Sequence, residues 1–143
     1  VLPAVLPGPI RSALAASRAK TVFICNTTTQ PGQTDGLDPA AHVRELLRYL
    51  NGRLDYVLLN SEAPSAAMIE AYAQDGVRFM PVAARDIRQI QDMGPTPVTG
   101  ALLEEGWRGK RALHKLDTIR HDPRKVAAAL SGLLADPHRG GGA

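Results

Sequence analysis

"TVFICNTTTQPGQTDGLDPAAHVRELLRYL", residues 21–50, decides how the chain is read. It opens on a continuous apolar, partly β-branched run, Thr21 to Cys25, the pattern of a strand covered on both faces. It closes on Asp38-Pro39, a capping residue before a proline suited to the first helical position. Val43, Leu46, Leu47 and Leu50 then recur at helical spacing. Asn51-Gly52 is a good signal for the end of that helix. A buried strand that feeds an amphipathic helix through a polar connection predicts one unit of a parallel α/β sheet.

The flanking sequence repeats the pattern. "YVLLN" (56–60) reads as a second buried strand, "PSAAMIEAYAQDG" (64–76) as a helix ended by glycine, and "VRFMPV" (77–82) as a third strand. A short helix over Pro9–Ala16 leads into the first strand. Beyond Gly94 the pattern loosens, with "VTGALL" (98–103) at best a short strand. It recovers at Asp122-Pro123, where Val126, Leu130, Leu133 and Leu134 form the stripe of a closing helix. The expected fold class is α/β, a Rossmann-like parallel sheet with helices on both faces. With 143 residues, one domain with a real core is expected over 1–135, followed by a flexible tail at 136–143.

The single cysteine, Cys25, rules out an intramolecular disulfide and suits a reducing cytoplasm, where it reads as a buried, inert thiol. No run approaches the roughly 18–20 apolar residues of a membrane span, and no leader is evident. The expected location is therefore cytoplasmic. The chain starts Val1-Leu2-Pro3 without an initiator methionine, which points to processing or to a piece of a longer protein.

Chemistry is expected at the carboxyl ends of the strands, where open parallel sheets bind ligands. Residues 26–36 occupy such a place. Asn26, Thr27, Thr28, Thr29, Gln30 and Thr34 offer amides and hydroxyls, Pro31-Gly32 allows a sharp turn, and the next helix presents free N–H groups. Asn60 ends the neighbouring strand and could face the same crevice. The connection is longer than the usual 2–6 residues, which favours function over a plain solvated loop. Neither G-x-G-x-x-G nor G-x-x-x-x-G-K-[ST] occurs, and "GWRGK" (106–110) has the wrong spacing for both. His42, His114, His121 and His138 show no metal-ligand spacing, so no metal site is expected from this chain. From Gly106 to Lys125 seven Lys/Arg face only Asp117 and Asp122. Such a stretch suits phosphate, an acidic partner or plain solvent, and the low aromatic content argues against sequence-specific nucleic-acid binding.

Three stretches together resemble a known family. "VLPAVLPGPIRSALAASRAKTVFICN", then "TQPGQTDG" and "HV", are similar to the gluconeogenesis-factor branch of the 2-phospho-L-lactate transferase superfamily (CofD-like). "DYVLLN" and "IRHDPRKVAAAL" follow the same order. The resemblance implies the C-terminal half of a larger Rossmann-like fold. It implies a cytoplasmic bacterial protein that binds a nucleotide sugar such as UDP-N-acetylglucosamine, regulates carbon metabolism, cell shape and cell-wall synthesis, and often dimerises. By position it places Asn26, Thr29, Gln30, Gly32 and Thr34 at the ligand crevice. Gln33 stands where the family usually has glutamate, leaving Asp35 as the nearest acid. Two functions remain open, with no catalytic residue singled out. One is a nucleotide-sugar-binding regulator without turnover and without a cofactor. The other is a transferase that moves a phospholactyl group from a guanosine diphosphate carrier to a deazaflavin alcohol in coenzyme F420 biosynthesis, with Mg2+.

Overall fold

A computed structural model describes residues 2–50, 53–110 and 117–135. The expected helix end at 51–52 and the expected tail at 136–143 lie outside the described residues. The elements run α1 (Leu2–Val5), α2 (Gly8–Ala16), β1 (Val22–Ile24), α3 (Pro39–Tyr49), β2 (Tyr56–Asn60), α4 (Ala66–Ala73), α5 (Ala84–Asp92), β3 (Thr96–Gly100) and α6 (Pro123–Ala135). The strands form one Rossmann-like sheet in the order β1-β2-β3.

β1 and β2 are parallel, with Val22 opposite Tyr56, Phe23 opposite Val57 and Ile24 opposite Leu58. The start of this pair is fixed by Asp55, whose Oδ2 accepts from the Thr21 N–H at 2.7 Å and from the Thr21 hydroxyl at 2.9 Å. β3 continues the parallel sense: the Thr96 N–H donates to the Asp55 carbonyl at one end, and the Ser61 N–H to the Gly100 carbonyl at the other. Every residue of β2 is buried, as its unbroken apolar run predicts for a central strand.

The chain divides into two compact units. The first comprises 1–25, 37–59 and 82–98. Its core gathers Phe23, Val57 and Leu59 from the strands, Cys25 from just after β1, Val43 and Leu46 from α3, and Ile90 from α5. Asp38 caps α3 by accepting the Ala41 N–H at 2.8 Å, and Pro39 follows as expected. Burial and the nearby Asp86 carboxylate push the Cys25 thiol up to about 12. Cys25 is therefore expected to react with a thiol reagent such as Ellman's only as fast as the protein opens. Rapid labelling of the native chain at pH 8 would contradict its burial.

The second unit comprises 26–36, 60–81 and 99–143. Its smaller core holds Met68 and Tyr72 from α4, with Val77, Leu103 and Ile119.

Two expectations are corrected here. "VRFMPV" is not a sheet strand, since Phe79 makes only an isolated antiparallel bridge with Thr28. Pro81, which lacks an N–H, stands just after that bridge. The third strand is instead Thr96–Gly100, and its five residues are only partly covered or exposed, so no apolar run marks it. The sequence reading also missed α5, whose start is held by Asp86 Oδ2 accepting the Ala83 N–H at 2.7 Å. Four charged residues among its nine leave Ile87 and Ile90 as a minimal stripe.

Candidate functional site

The polar connection 26–36 is a fastened turn rather than a loose loop. The Thr29 N–H donates to the Arg78 carbonyl at 2.8 Å, the Arg78 N–H to Thr29 Oγ1 at 3.2 Å, and the Met80 N–H to the Thr27 carbonyl at 2.9 Å. These bonds lay residues 77–80 antiparallel beside it. Inside the turn, Thr34 Oγ1 accepts the Gln30 N–H at 2.7 Å, and Asp35 Oδ2 accepts the Gly32 N–H at 2.6 Å. Thr27, Thr28 and Thr29 are buried. The Thr27 hydroxyl donates to the Ile119 carbonyl, tying the turn to a segment 92 residues away.

The sequence-expected residues thus fall into two groups. Thr29, Gly32, Thr34 and Asp35 hold the turn together. Asn60 is buried and engaged as well: its Nδ2 donates to the Glu62 carbonyl at 2.7 Å, and its Oδ1 accepts the Glu62 N–H at 3.2 Å and the Leu102 N–H at 3.1 Å. By contrast, no partner engages the side chains of Asn26, Gln30 or Gln33 among the described residues; Asn26 and Gln33 are exposed and Gln30 is half-buried. If the turn touches a ligand, these three amides are the groups with hydrogen-bonding capacity to spare.

The concave feature of the second unit lies beside the segment that Thr27 fastens. A cavity of about 390 Å³ is lined by Met68 and Tyr72 of α4, the loop 104–110, and residues 117–120. This is within the size range of small-ligand pockets. The Tyr72 and Trp107 rings stand 6.2 Å apart, tilted by 46°. The Trp107 indole Nε1 is shut off from solvent close to the Tyr72 hydroxyl but makes no hydrogen bond of good geometry. The Tyr72 hydroxyl donates to Asp117 Oδ2 at 2.9 Å, and Arg120 Nη2 donates to Asp117 Oδ1 at 3.0 Å. Burial raises the Tyr72 phenol above its ordinary value of 10, and the Asp117 carboxylate adds to the rise. Tyr72 is therefore a neutral donor at physiological pH.

The loop that carries Trp107 is anchored at both ends. On the near side the Leu103 N–H donates to Glu62 Oε2 at 3.3 Å, and the Glu104 N–H to the Arg120 carbonyl at 3.0 Å. Lys125 Nζ donates to the Leu103 carbonyl at 3.0 Å and sits 2.9 Å from Glu105 Oε1, a carboxylate that raises the lysine's pKa. On the far side Lys110 Nζ pairs with Asp75 Oδ2 at 2.7 Å.

Sequence reading had flagged the basic stretch only as suited to phosphate, acidic partner or solvent. It missed Tyr72 and Asp117 as site residues, because nothing in their spacing brings position 72 to position 117. The remaining basic residues of that stretch at 111–116, and His114, lie outside the described residues. Among the described residues no helix is long and apolar enough to cross a membrane. No group of three or more His, Cys, Asp or Glu able to hold a metal ion occurs among them either.

Comparison with known proteins gives consistent results. A family model described as 2-phospho-L-lactate transferase CofD matches residues 1–103, which includes the polar turn and stops just short of the cavity loop. The gluconeogenesis factor of Bacillus subtilis is 34% identical over 137 residues, covering 95% of this chain and 39% of that protein. A Thermotoga maritima protein provisionally named gluconeogenesis factor is 35% identical over 123 residues, covering 86% of this chain and 36% of its own length. The crystal structure of a UPF0052 family member from Bacillus halodurans superposes with a TM-score of 0.76 at 26% identity, over 92% of this chain and 38% of that one. The chain thus spans little more than a third of each of these relatives.

Proposed function

The chain belongs to the 2-phospho-L-lactate transferase CofD family, and from that premise we propose that it contributes the binding site for a nucleotide sugar of the UDP-N-acetylglucosamine type. In this reading the protein regulates carbon metabolism, cell shape and cell-wall synthesis without turnover, in the cytoplasm and as a dimer. The observation that carries the reading is the cavity: an aromatic pair, Tyr72 and Trp107, stands beside Arg108, Lys110 and Arg120. A base or sugar face stacks on aromatic rings, while guanidinium and ammonium groups take phosphate oxygens. The amides of Asn26, Gln30 and Gln33 do not line this cavity and lend the reading no support.

The runner-up is the phospholactyl transferase of the family's name, which uses a guanosine diphosphate carrier. The relatives' gluconeogenesis-factor names favour the regulator.

Calorimetric titration separates the two. UDP-N-acetylglucosamine is expected to bind with micromolar affinity, and Trp107→Ala to weaken it about tenfold or more, the usual loss when a stacking ring is removed. Binding of guanosine diphosphate without the uridine compound would transfer the site to the transferase reading. Equal affinity in Trp107→Ala would remove the cavity from the site.

A further inference from the structure

We infer that Arg108 is the residue that clamps the diphosphate of the bound ligand, carried on a flap formed by Gly106-Trp107-Arg108-Gly109. The inference rests on the nucleotide-sugar reading of the cavity and adds to it which charge is available and how it is delivered. Three cations line the cavity. Lys110 is bridged to Asp75 at 2.7 Å and Arg120 to Asp117 at 3.0 Å. Of the lining acids, Glu105 is taken by Lys125 at 2.9 Å. Among the described residues Arg108 is thus the lining cation with no acidic partner, and it is exposed. A planar guanidinium offers paired donors that match two phosphate oxygens, so an unpaired arginine at the mouth of an aromatic cavity suits a diphosphate bridge.

The backbone on either side of it suits movement. Gly106 has φ +70° and Gly109 φ +136°, conformations that other residues rarely adopt, and a Cβ at either would meet nothing within 4 Å. Two such joints bracket Trp107 and Arg108, while the bonds of Leu103, Glu104, Lys125 and Lys110 fix the loop outside them. The proposed motion carries the ring, here packed against the core of the second unit, together with the guanidinium, so that the base contact and the phosphate contact form at once.

Trp107 is the only tryptophan of the chain, so its fluorescence reports this flap directly. Two probes are titrated, UDP-N-acetylglucosamine and inorganic pyrophosphate, at two ionic strengths. Arg108→Ala is expected to weaken both at least tenfold and to reduce the salt dependence, and Arg108→Lys to restore the salt dependence but only part of the affinity. Arg124→Ala, an exposed cation outside the cavity, is expected to change neither. Unchanged binding of both probes by Arg108→Ala overturns the assignment while leaving the nucleotide-sugar reading in place. A wild-type response to pyrophosphate that needs Arg108, without any response to the sugar nucleotide, keeps the clamp and overturns the ligand. Silence towards both overturns the two together.

Discussion

Asn60→Leu is expected to destabilise the protein by roughly 3 kcal/mol, because it leaves the buried Leu102 N–H without a partner at about 1–3 kcal/mol and strips two part-buried groups of Glu62 of theirs at less. The Asn60 amide serves the Glu62 carbonyl, the Glu62 N–H and the Leu102 N–H, and leucine, similar in size, serves none of them. Chemical denaturation reads the effect as a lower midpoint with an unchanged slope. Asn60→Asp keeps an acceptor for the two N–H groups but sets a carboxylate against the Glu62 carbonyl, so its midpoint should fall between the other two. The consequence also extends to the proposed ligand site. Leu102 leads directly into the loop that carries Trp107, and releasing its N–H loosens the cavity wall. A leucine variant as stable as wild type, with full ligand affinity, would show that the amide does neither job.

Leu59→Ala is expected to cost about 2–5 kcal/mol, the range for leucine truncated in a well-packed core. Leu59 is fully buried in the first unit among Val43, Leu46 and Ile90. It lies on the central strand, where neighbours on both sides resist collapse into the space left. Leu134→Ala gives the contrast: Leu134 is 81% exposed, and the same truncation there should stay within about 0.5 kcal/mol. Comparable losses at both positions would mean that α6 is packed against something in solution.

What could be read in the sequence followed the strength of local signals. β1, α3 and β2 were legible because a continuous apolar run, an Asp-Pro start and a four-residue stripe each point to one element. α6 was legible for the same reason, from Asp122-Pro123 onward. The misread third strand shows the limit. Val77 to Val82 has the composition of a strand, yet its backbone pairs with the polar turn, and that choice is made by Thr28 and Thr29, some fifty residues earlier. β3 carries Pro97, two threonines and Gly100, none of them a core signal, and it belongs to the sheet only because β2 offers it a free edge.

The site divides in the same way. Residues 26–36 announced themselves by composition, but composition could not tell which hydroxyls would be consumed in holding the turn. None of those residues lines the cavity, and the aromatic and carboxylate groups that do were invisible, since Tyr72 reads as one more apolar position of α4 and Asp117 as one more surface charge.

The bond from the Thr27 hydroxyl to the Ile119 carbonyl has a consequence for the order in which the protein takes shape. The first pairing of β1 with β2 closes a loop of about 34 residues, whereas this bond closes one of 92. The difference in closure entropy is small, about 0.9 kcal/mol from the logarithm of the ratio. Its kinetic weight is larger, because contacts distant in sequence form late. During synthesis the sheet's first pair can assemble once Asn60 has emerged, but the cavity wall has no anchor until Ile119 follows. The cavity wall is therefore the last part of the second unit to take shape, and a ligand for the proposed site should slow unfolding while leaving the refolding rate unchanged.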